Sequence, residues 1–312
     1  MSGHAKATAF VTGAAGFIGT ELIGVLVARG HQVFGLAHSA EAAERVRRAG
    51  AVPVRGDLLE PGQWQDEAAA EWIFHLPSHG LYGRRVTRKQ AESIARTRVQ
   101  LDTNLLDNVT PATERVVYLA NTSWYGATGA RAITEDEPRQ TSAAGGCQAP
   151  AMDRLEGYVV AGLPIVTAFA GWVYGNGSWF RTRVIEPVMS GRVVFQSGKA
   201  GPSVSPIHVR DCARALVHLA EHGEAGGRYF VVNTEPVPLH ELTDAFARLA
   251  NRRPRVWRVP AALMRLLAGT VLAEYLRTNG VFSNIRLRGL GFRFEYPTLE
   301  DGLQQVVGAL RE

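Results

Sequence analysis

The sequence predicts an α/β protein: a doubly wound parallel sheet with a smaller C-terminal lobe. Three observations predict it. Short β-branched runs alternate with helical stretches through the first half of the chain. A glycine-rich turn, Gly13-Ala14-Ala15-Gly16-Phe17-Ile18-Gly19, joins the first strand-like run to the first helical one. After Tyr174-Gly175-Asn176-Gly177 the alternation gives way to a mostly helical pattern.

Strands are expected over residues 7–11, 32–36, 52–55, 71–76, 115–119 and 164–169. Helices are expected between them, over 17–28, 40–49, 63–70, 89–109 and 152–161. This βαβ order predicts a sheet covered on both faces. Beyond residue 175 the expected order is helix 180–190, strand 193–195, helix 211–221, strand 228–232, then helices 239–250, 261–276 and 299–310. Residues 1–175 form the first domain, which also receives 205–235. Residues 176–312 form the smaller, mostly helical lobe, and a substrate belongs in the cleft between the two.

Composition sets the bounds. At 312 residues, 46% hydrophobic and 20% charged, the chain is an ordinary globular protein with a large core. Cys147 and Cys212 lie too far apart in sequence for a thiolate metal spacing or a disulfide framework, so no metal site is expected and a reducing, cytoplasmic setting is. The start, Met1-Ser2-Gly3-His4-Ala5-Lys6, holds no apolar targeting run, and no stretch is long enough to span a membrane. The formal net charge is +5, with basic clusters at residues 84–89 and 252–255 that read as solvated faces, because no nucleic-acid motif accompanies them.

The glycine turn carries the first chemistry. It follows the strand Ala7-Thr8-Ala9-Phe10-Val11-Thr12 and opens a helix, the context a dinucleotide loop needs. Gly13 permits the tight turn, Gly16 admits a pyrophosphate to the backbone, and Gly19 lets the helix pack on the strand. Ala15, Phe17 and Ile18 complete the loop, whose helix N-terminus offers N–H groups to phosphates. This is a Rossmann arrangement. The second strand runs into Leu36-Ala37-His38-Ser39, with no carboxylate for a ribose 2′-hydroxyl. His38 and Ser39, with Arg45 or Arg47 nearby, suit a 2′-phosphate, so NADP(H) is favoured over NAD(H).

Thr12-Gly13-Ala14-Ala15-Gly16-Phe17-Ile18-Gly19 resembles the opening of the extended short-chain dehydrogenase/reductase family, the NAD-dependent epimerase/dehydratase type. Further matches follow in order. Gly56-Asp57-Leu58 resembles the adenine-contacting turn, and His75-Leu76-Pro77 the end of the fourth strand. Trp124-Tyr125-Gly126, Gly162-Leu163-Pro164, Gly171-Trp172-Val173-Tyr174-Gly175, Ile207-His208-Val209-Arg210-Asp211 and Leu290-Gly291-Phe292 continue the likeness. The resemblance implies cofactor contacts at Asp57, Leu58, Leu76 and Pro77. It also implies dimerisation through the helices at 89–109 and 152–161.

The family's proton relay is a Tyr-x-x-x-Lys pair. Glu156 aligns with the family's helix glutamate, which puts Gln148 at the tyrosine position and Met152 at the lysine position. No tyrosine here has lysine four residues on, and the lysines are only Lys6, Lys89 and Lys199. Asn121 stands at the family's serine or threonine position, Arg98 at a helix asparagine, and Phe169 at a strand arginine.

Candidates for replacement chemistry are His79 as acid or base, Asn121 and Gln148 as hydrogen-bond partners, and Tyr125 as proton donor. Ser123, Trp124, Met152, Trp172, Tyr174 and Phe180 suggest an aromatic, apolar substrate pocket. Asp211 reads as a helix N-cap. Three functions stand open. The first is an atypical enzyme acting on an apolar or aromatic biosynthetic intermediate, including non-redox cyclisation, isomerisation or dehydration. The second is an NAD(P)H-dependent oxidoreductase or epimerase with a substitute acid, and the third a non-catalytic dinucleotide-binding protein. The expected partner is a small molecule, with no nucleic acid or membrane.

Overall fold

The computed structural model describes residues 6–76, 88–129, 131–140, 142–197 and 201–311. Its centre is a seven-stranded parallel sheet. The strands are β1 (Thr8–Thr12), β2 (Gln32–Ala37), β3 (Val52–Arg55), β4 (Trp72–His75), β5 (Arg115–Asn121), β6 (Ile165–Ala170) and β7 (Arg228–Val231), in spatial order 7-6-5-4-1-2-3. The order reverses between β1 and β4, which opens a crevice at the carboxyl ends of the strands.

Side chains alternate across the sheet. Ala9 and Val11 pack with α1 (Phe17–Ala28), α2 (Ala40–Arg48) and the later helix at 209–222. Phe10 points the other way, among residues of α3 (Arg88–Leu106) and α4 (Ala149–Val160). Both faces are therefore covered, as the βαβ alternation predicts. The edge strand β7 enters from beyond residue 205 and pairs with β6, Phe230 opposite Phe169.

Helix α5 (Val209–His222) packs against α1, and α6 (Glu241–Leu249), α7 (Ala261–Tyr275) and α8 (Leu299–Gly308) belong to the C-terminal part. Two expectations change here. The helix at 261–276 is broken at Gly269, whose φ of +81° is open to glycine and not to an α-helical turn. Residues Arg255–Val259, where no strand was expected, form one parallel to Val193–Ser197. Among the described residues, no helix is long and apolar enough to cross a membrane.

Candidate functional site

The glycine loop has the shape a pyrophosphate requires. Gly13 turns at φ +66°, and a Cβ there would stand 2.6 Å from the Leu76 carbonyl oxygen. A Cβ on Gly19 would lie 2.3 Å from the Gly13 oxygen, so α1 reaches its strand only because Gly19 lacks a side chain. Gly16 caps α1 with no side-chain hydrogen bond to its first N–H groups, and Gly13 and Gly16 are exposed. Ala15, Phe17 and Ile18 are half-buried around this opening. The aromatic ring of Phe17 lies against Gly177, where a Cβ would come within 2.6 Å of it.

At the other end of the crevice, His38 is exposed just past β2, and Ser39 caps α2 by accepting the Ala42 N–H at 3.1 Å. Arg55, exposed at the end of β3, pairs in register with Ala37 and adds a cation that sequence reading passed over. Arg47 is engaged by Glu44 at 2.6 Å, leaving Arg45 as the basic candidate on α2. The Asp57 carboxylate accepts the Leu59 N–H at 2.9 Å, and the Leu58 carbonyl accepts from Asn104 at 2.9 Å. Leu76 is buried under Gly13. Pro77 and His79 lie outside the described residues.

Three of the expected site residues meet at the end of β5. Asn121 opens a tight 3-10 turn over Thr122–Tyr125, its side-chain oxygen accepting the Ser123 N–H at 2.8 Å. Gln148, just before α4, accepts the Asn121 N–H at 3.3 Å through Oε1 and donates from Nε2 to Ser123 Oγ at 2.6 Å. The amide thus stands beside a hydroxyl at the carboxyl edge of the sheet. Both side chains are neutral, so they orient and hydrogen-bond without titrating.

A groove opens over Ser123. Trp172 and Phe282 line it, with Glu274, Tyr275 and Asn279 from the end of α7 and the segment after it. Tyr275 stacks on Trp172, the ring centroids 4.8 Å apart and the planes 16° from parallel. These α7 residues escaped sequence reading, because helical periodicity marks an apolar face without saying what it covers. Their approach is felt nearby: burial pushes the Cys147 thiol up, and the Glu274 carboxylate adds to the shift.

Other aromatic candidates are placed in the core. Tyr125 is fully buried among Trp124, Phe169 and Phe230, and its hydroxyl donates to the Glu135 carbonyl at 3.0 Å. Burial pushes that phenol far above its ordinary range, which suits packing and not proton donation. Tyr174 and Phe180 are fully buried in the core of the C-terminal part, with Phe246. Met152 is buried with Leu155 beneath the sheet. Trp124 stacks on Phe169 with centroids 5.6 Å apart, half-buried beside Ser123. Asp211 is not the N-cap. His208 takes that place, and the buried Asp211 carboxylate accepts the Glu295 and Tyr296 N–H groups at 2.8 Å each.

Below the crevice runs a buried polar chain with no counterpart in the sequence expectations. Thr12 Oγ1 meets His75 Nδ1 at 2.9 Å, and His75 Nε2 meets Asp102 at 2.8 Å. Tyr118 donates to Asp102 at 2.7 Å, while Arg98 donates to Asp102, Tyr118 and the Leu119 carbonyl at 3.1, 3.0 and 3.0 Å. Burial pushes the Asp102 carboxyl up, but Arg98 and His75 beside it hold it below its ordinary value. The chain ties the residue before the cofactor loop to the strand that ends at Asn121.

A family model described as the NAD dependent epimerase/dehydratase family matches residues 9–233. The chain is 29% identical over 306 residues to the 3-diazoavenalumate denitrifying reductase of a Streptomyces species, covering 94% of this chain and 98% of that one. It is 26% identical over 270 residues to the 4-hydroxy-2-methyl-3-oxo-4-farnesyl-3,4-dihydroquinoline-1-oxide ketoreductase of Stigmatella aurantiaca, covering 83% and 78% respectively. Its fold superposes on human epimerase family protein SDR39U1 (isoform2), solved with NADPH, with a TM-score of 0.79 at 20% identity, over 96% of this chain and 99% of that one.

Proposed function

For a chain that belongs to the NAD dependent epimerase/dehydratase family, we propose a reductase that binds NADP(H) and delivers hydride to an aromatic or otherwise apolar biosynthetic intermediate. It does so without a tyrosine–lysine proton relay. The observation that carries this is the Asn121–Ser123–Gln148 cluster. The position that resembles the relay tyrosine holds a neutral amide, hydrogen-bonded at 2.6 Å to Ser123 Oγ, and Ser123 lines the aromatic-walled groove.

Hydride transfer to a ketone leaves an alkoxide, which needs a proton at once. An acceptor that is already cationic, or that loses a group as hydride arrives, does not. The Streptomyces relative is named for the denitrifying reduction of a diazo compound, and where such a group reacts as a diazonium cation the balance is R–N2+ + H− → R–H + N2. No proton is consumed, so a site without a titrating phenol suffices. Gln148 and Ser123 then have two tasks. They hold the acceptor against the cofactor face, and they hydrogen-bond any oxygen that gains charge. Trp172 and Tyr275 supply a stacking wall for an aromatic ring. When bound, the nicotinamide supplies the hydride, and the open N-terminus of α1 holds its phosphates. His38, Ser39 and Arg55 favour a 2′-phosphate where a carboxylate would favour a free 2′-hydroxyl. A reducing cytoplasmic setting fits this chemistry.

The test uses the protein with NADPH deuterated at C4, once in each face, and three acceptors: 4-hydroxybenzenediazonium, 1,4-naphthoquinone and 4-hydroxyacetophenone. Protein-dependent, saturable transfer of deuterium to the diazonium carbon is expected, with slower loss of deuterium from the cofactor with the quinone, whose O–D exchanges with water, and little or none with the ketone. NADH should serve less well than NADPH. Product formation with the cofactor's deuterium fully retained would point to a non-redox reaction and overturn the proposal. So would the absence of protein-dependent transfer to any acceptor.

A further inference from the structure

Helix α5 ends in His218-Leu219-Ala220-Glu221-His222. Residues four apart lie on one side of a helix, and the His218 and His222 rings have centroids 4.4 Å apart. One ligand atom from each of His218, Glu221 and His222 lies within 4.8 Å of the other two. Two histidines four residues apart on one helix face can share an ion, as in His-x-x-Glu-His zinc helices, where the glutamate serves as a base; here Glu221 lies close enough to add a carboxylate.

The surroundings prepare these groups for a metal. His218 Nε2 meets the Leu290 carbonyl at 3.0 Å. A carbonyl only accepts, so Nε2 carries the hydrogen and Nδ1 keeps a lone pair. Glu221 Oε1 accepts from Arg29 at 2.7 Å, while Oε2 stands 3.8 Å from His222 Nε2. Such outer partners orient ligands and set their tautomers at metal sites. The His222 side chain is 40% exposed, so an ion has a path in from solvent.

We propose that His218, Glu221 and His222 bind a divalent transition-metal ion, with Zn2+ the best match to two imidazoles and a carboxylate. The site is independent of the reductase reading. α1 and α5 lead into the amino ends of β2 and β7, so it lies at the sheet edge opposite the cofactor loop. An ion there clips the end of α5 to Arg29 after α1 and to the Leu290 segment, and it stabilises the native state by mass action. The two cysteines gave no hint of it, because the ligands are imidazoles on one helix.

The experiment titrates ZnCl2 into tag-free, EDTA-treated protein by calorimetry, with Co2+ absorption reporting coordination and Tm reporting stability. His218→Ala, His222→Ala and the milder His222→Gln are compared with His240→Ala. The last removes a second cluster, His240, Glu241 and Asp244, in which Glu241 already pairs with Arg248 at 2.6 Å. Expected are stoichiometric binding, a Zn2+-dependent rise in Tm, and at least a tenfold loss of affinity in the His218 and His222 variants. His240→Ala should bind as the parent does, and NADPH affinity should stay unchanged throughout. Absent Zn2+ binding in the parent, or binding that survives His218→Ala and His222→Gln, overturns the proposal.

Discussion

Gln148 contributes an amide whose hydrogen bonds run to the Asn121 main chain and to Ser123, so its loss should be felt in the transition state more than in binding. Removing one preorganised donor facing developing charge lowers kcat by about 100-fold or more where that charge is fully formed. Here the preferred acceptors develop little charge, so Gln148→Ala should lower kcat about tenfold with those acceptors and further with a ketone. KM should change little. Steady-state NADPH oxidation reads both, and a change confined to KM would reduce Gln148 to a binding contact. Neither Gln148 nor Ser123 titrates across the neutral range, so no pH optimum should arise from this pair.

At the scale of elements, the turn from β1 into α1 depends on atoms that are absent. A methyl group on Gly19 would enter the space of the Gly13 and Ala14 carbonyl oxygens, at 2.3 and 2.8 Å, and neither backbone atom can swing away as a side chain would. Gly19→Ala should therefore lower stability by about 1–3 kcal/mol, the range for overpacking. It should also weaken NADPH binding at least tenfold, because the displaced helix N-terminus no longer aims its N–H groups at the phosphates. Urea unfolding and NADPH fluorescence titration measure the two effects, and unaltered NADPH affinity would contradict the account of the loop.

This turn was legible in the sequence because its signal is local: a strand, a glycine spacing and a helix in succession. The strand–helix alternation was legible for the same reason. Residues Arg255–Val259 were not, since the run is short and four of its five residues are exposed, so no buried face marks it; the pairing with Val193–Ser197 supplies the order. The groove was half legible. Ser123 and Trp172 could be placed by their position after strands, whereas Glu274 and Tyr275 arrive by tertiary packing from the far end of α7. Trp172 and Tyr174 show why composition could not separate pocket from core. They sit two residues apart on one short strand, one lining the groove and the other sealed against Phe180.

At the scale of the whole molecule, His208 joins three parts of the chain. It ends the strand Pro206–His208, which pairs with Trp172–Tyr174. It caps α5 by accepting the Arg210 N–H at 3.3 Å through Nδ1, and it donates from Nε2 to Gln305 of α8 at 3.1 Å. Both nitrogens are thus committed in the neutral ring, and a proton on Nδ1 would break the cap. Burial, partly opposed by the Asp211 carboxylate, pushes the imidazole down to about 4 from its ordinary 6.5. Between those values the unfolded chain takes up a proton that the native ring refuses, so stability rises with pH through this window and falls as acid is added. Above pH 6.5 the contribution is flat. From the size of the shift, acidification from pH 7 to 4.5 should remove roughly 2–3 kcal/mol through this residue alone. His208→Asn retains a side-chain oxygen that can cap α5 and has nothing to protonate. Urea midpoints for the two proteins at both pH values should show the parent losing more stability than the variant by about that amount. The buried His75 titrates alike in both and cancels in the comparison. Equal losses would mean that the seam between the sheet and the terminal helix is held by its other contacts, Asp211 to Glu295 and Tyr296 foremost, and that His208 is not its acid-sensitive point.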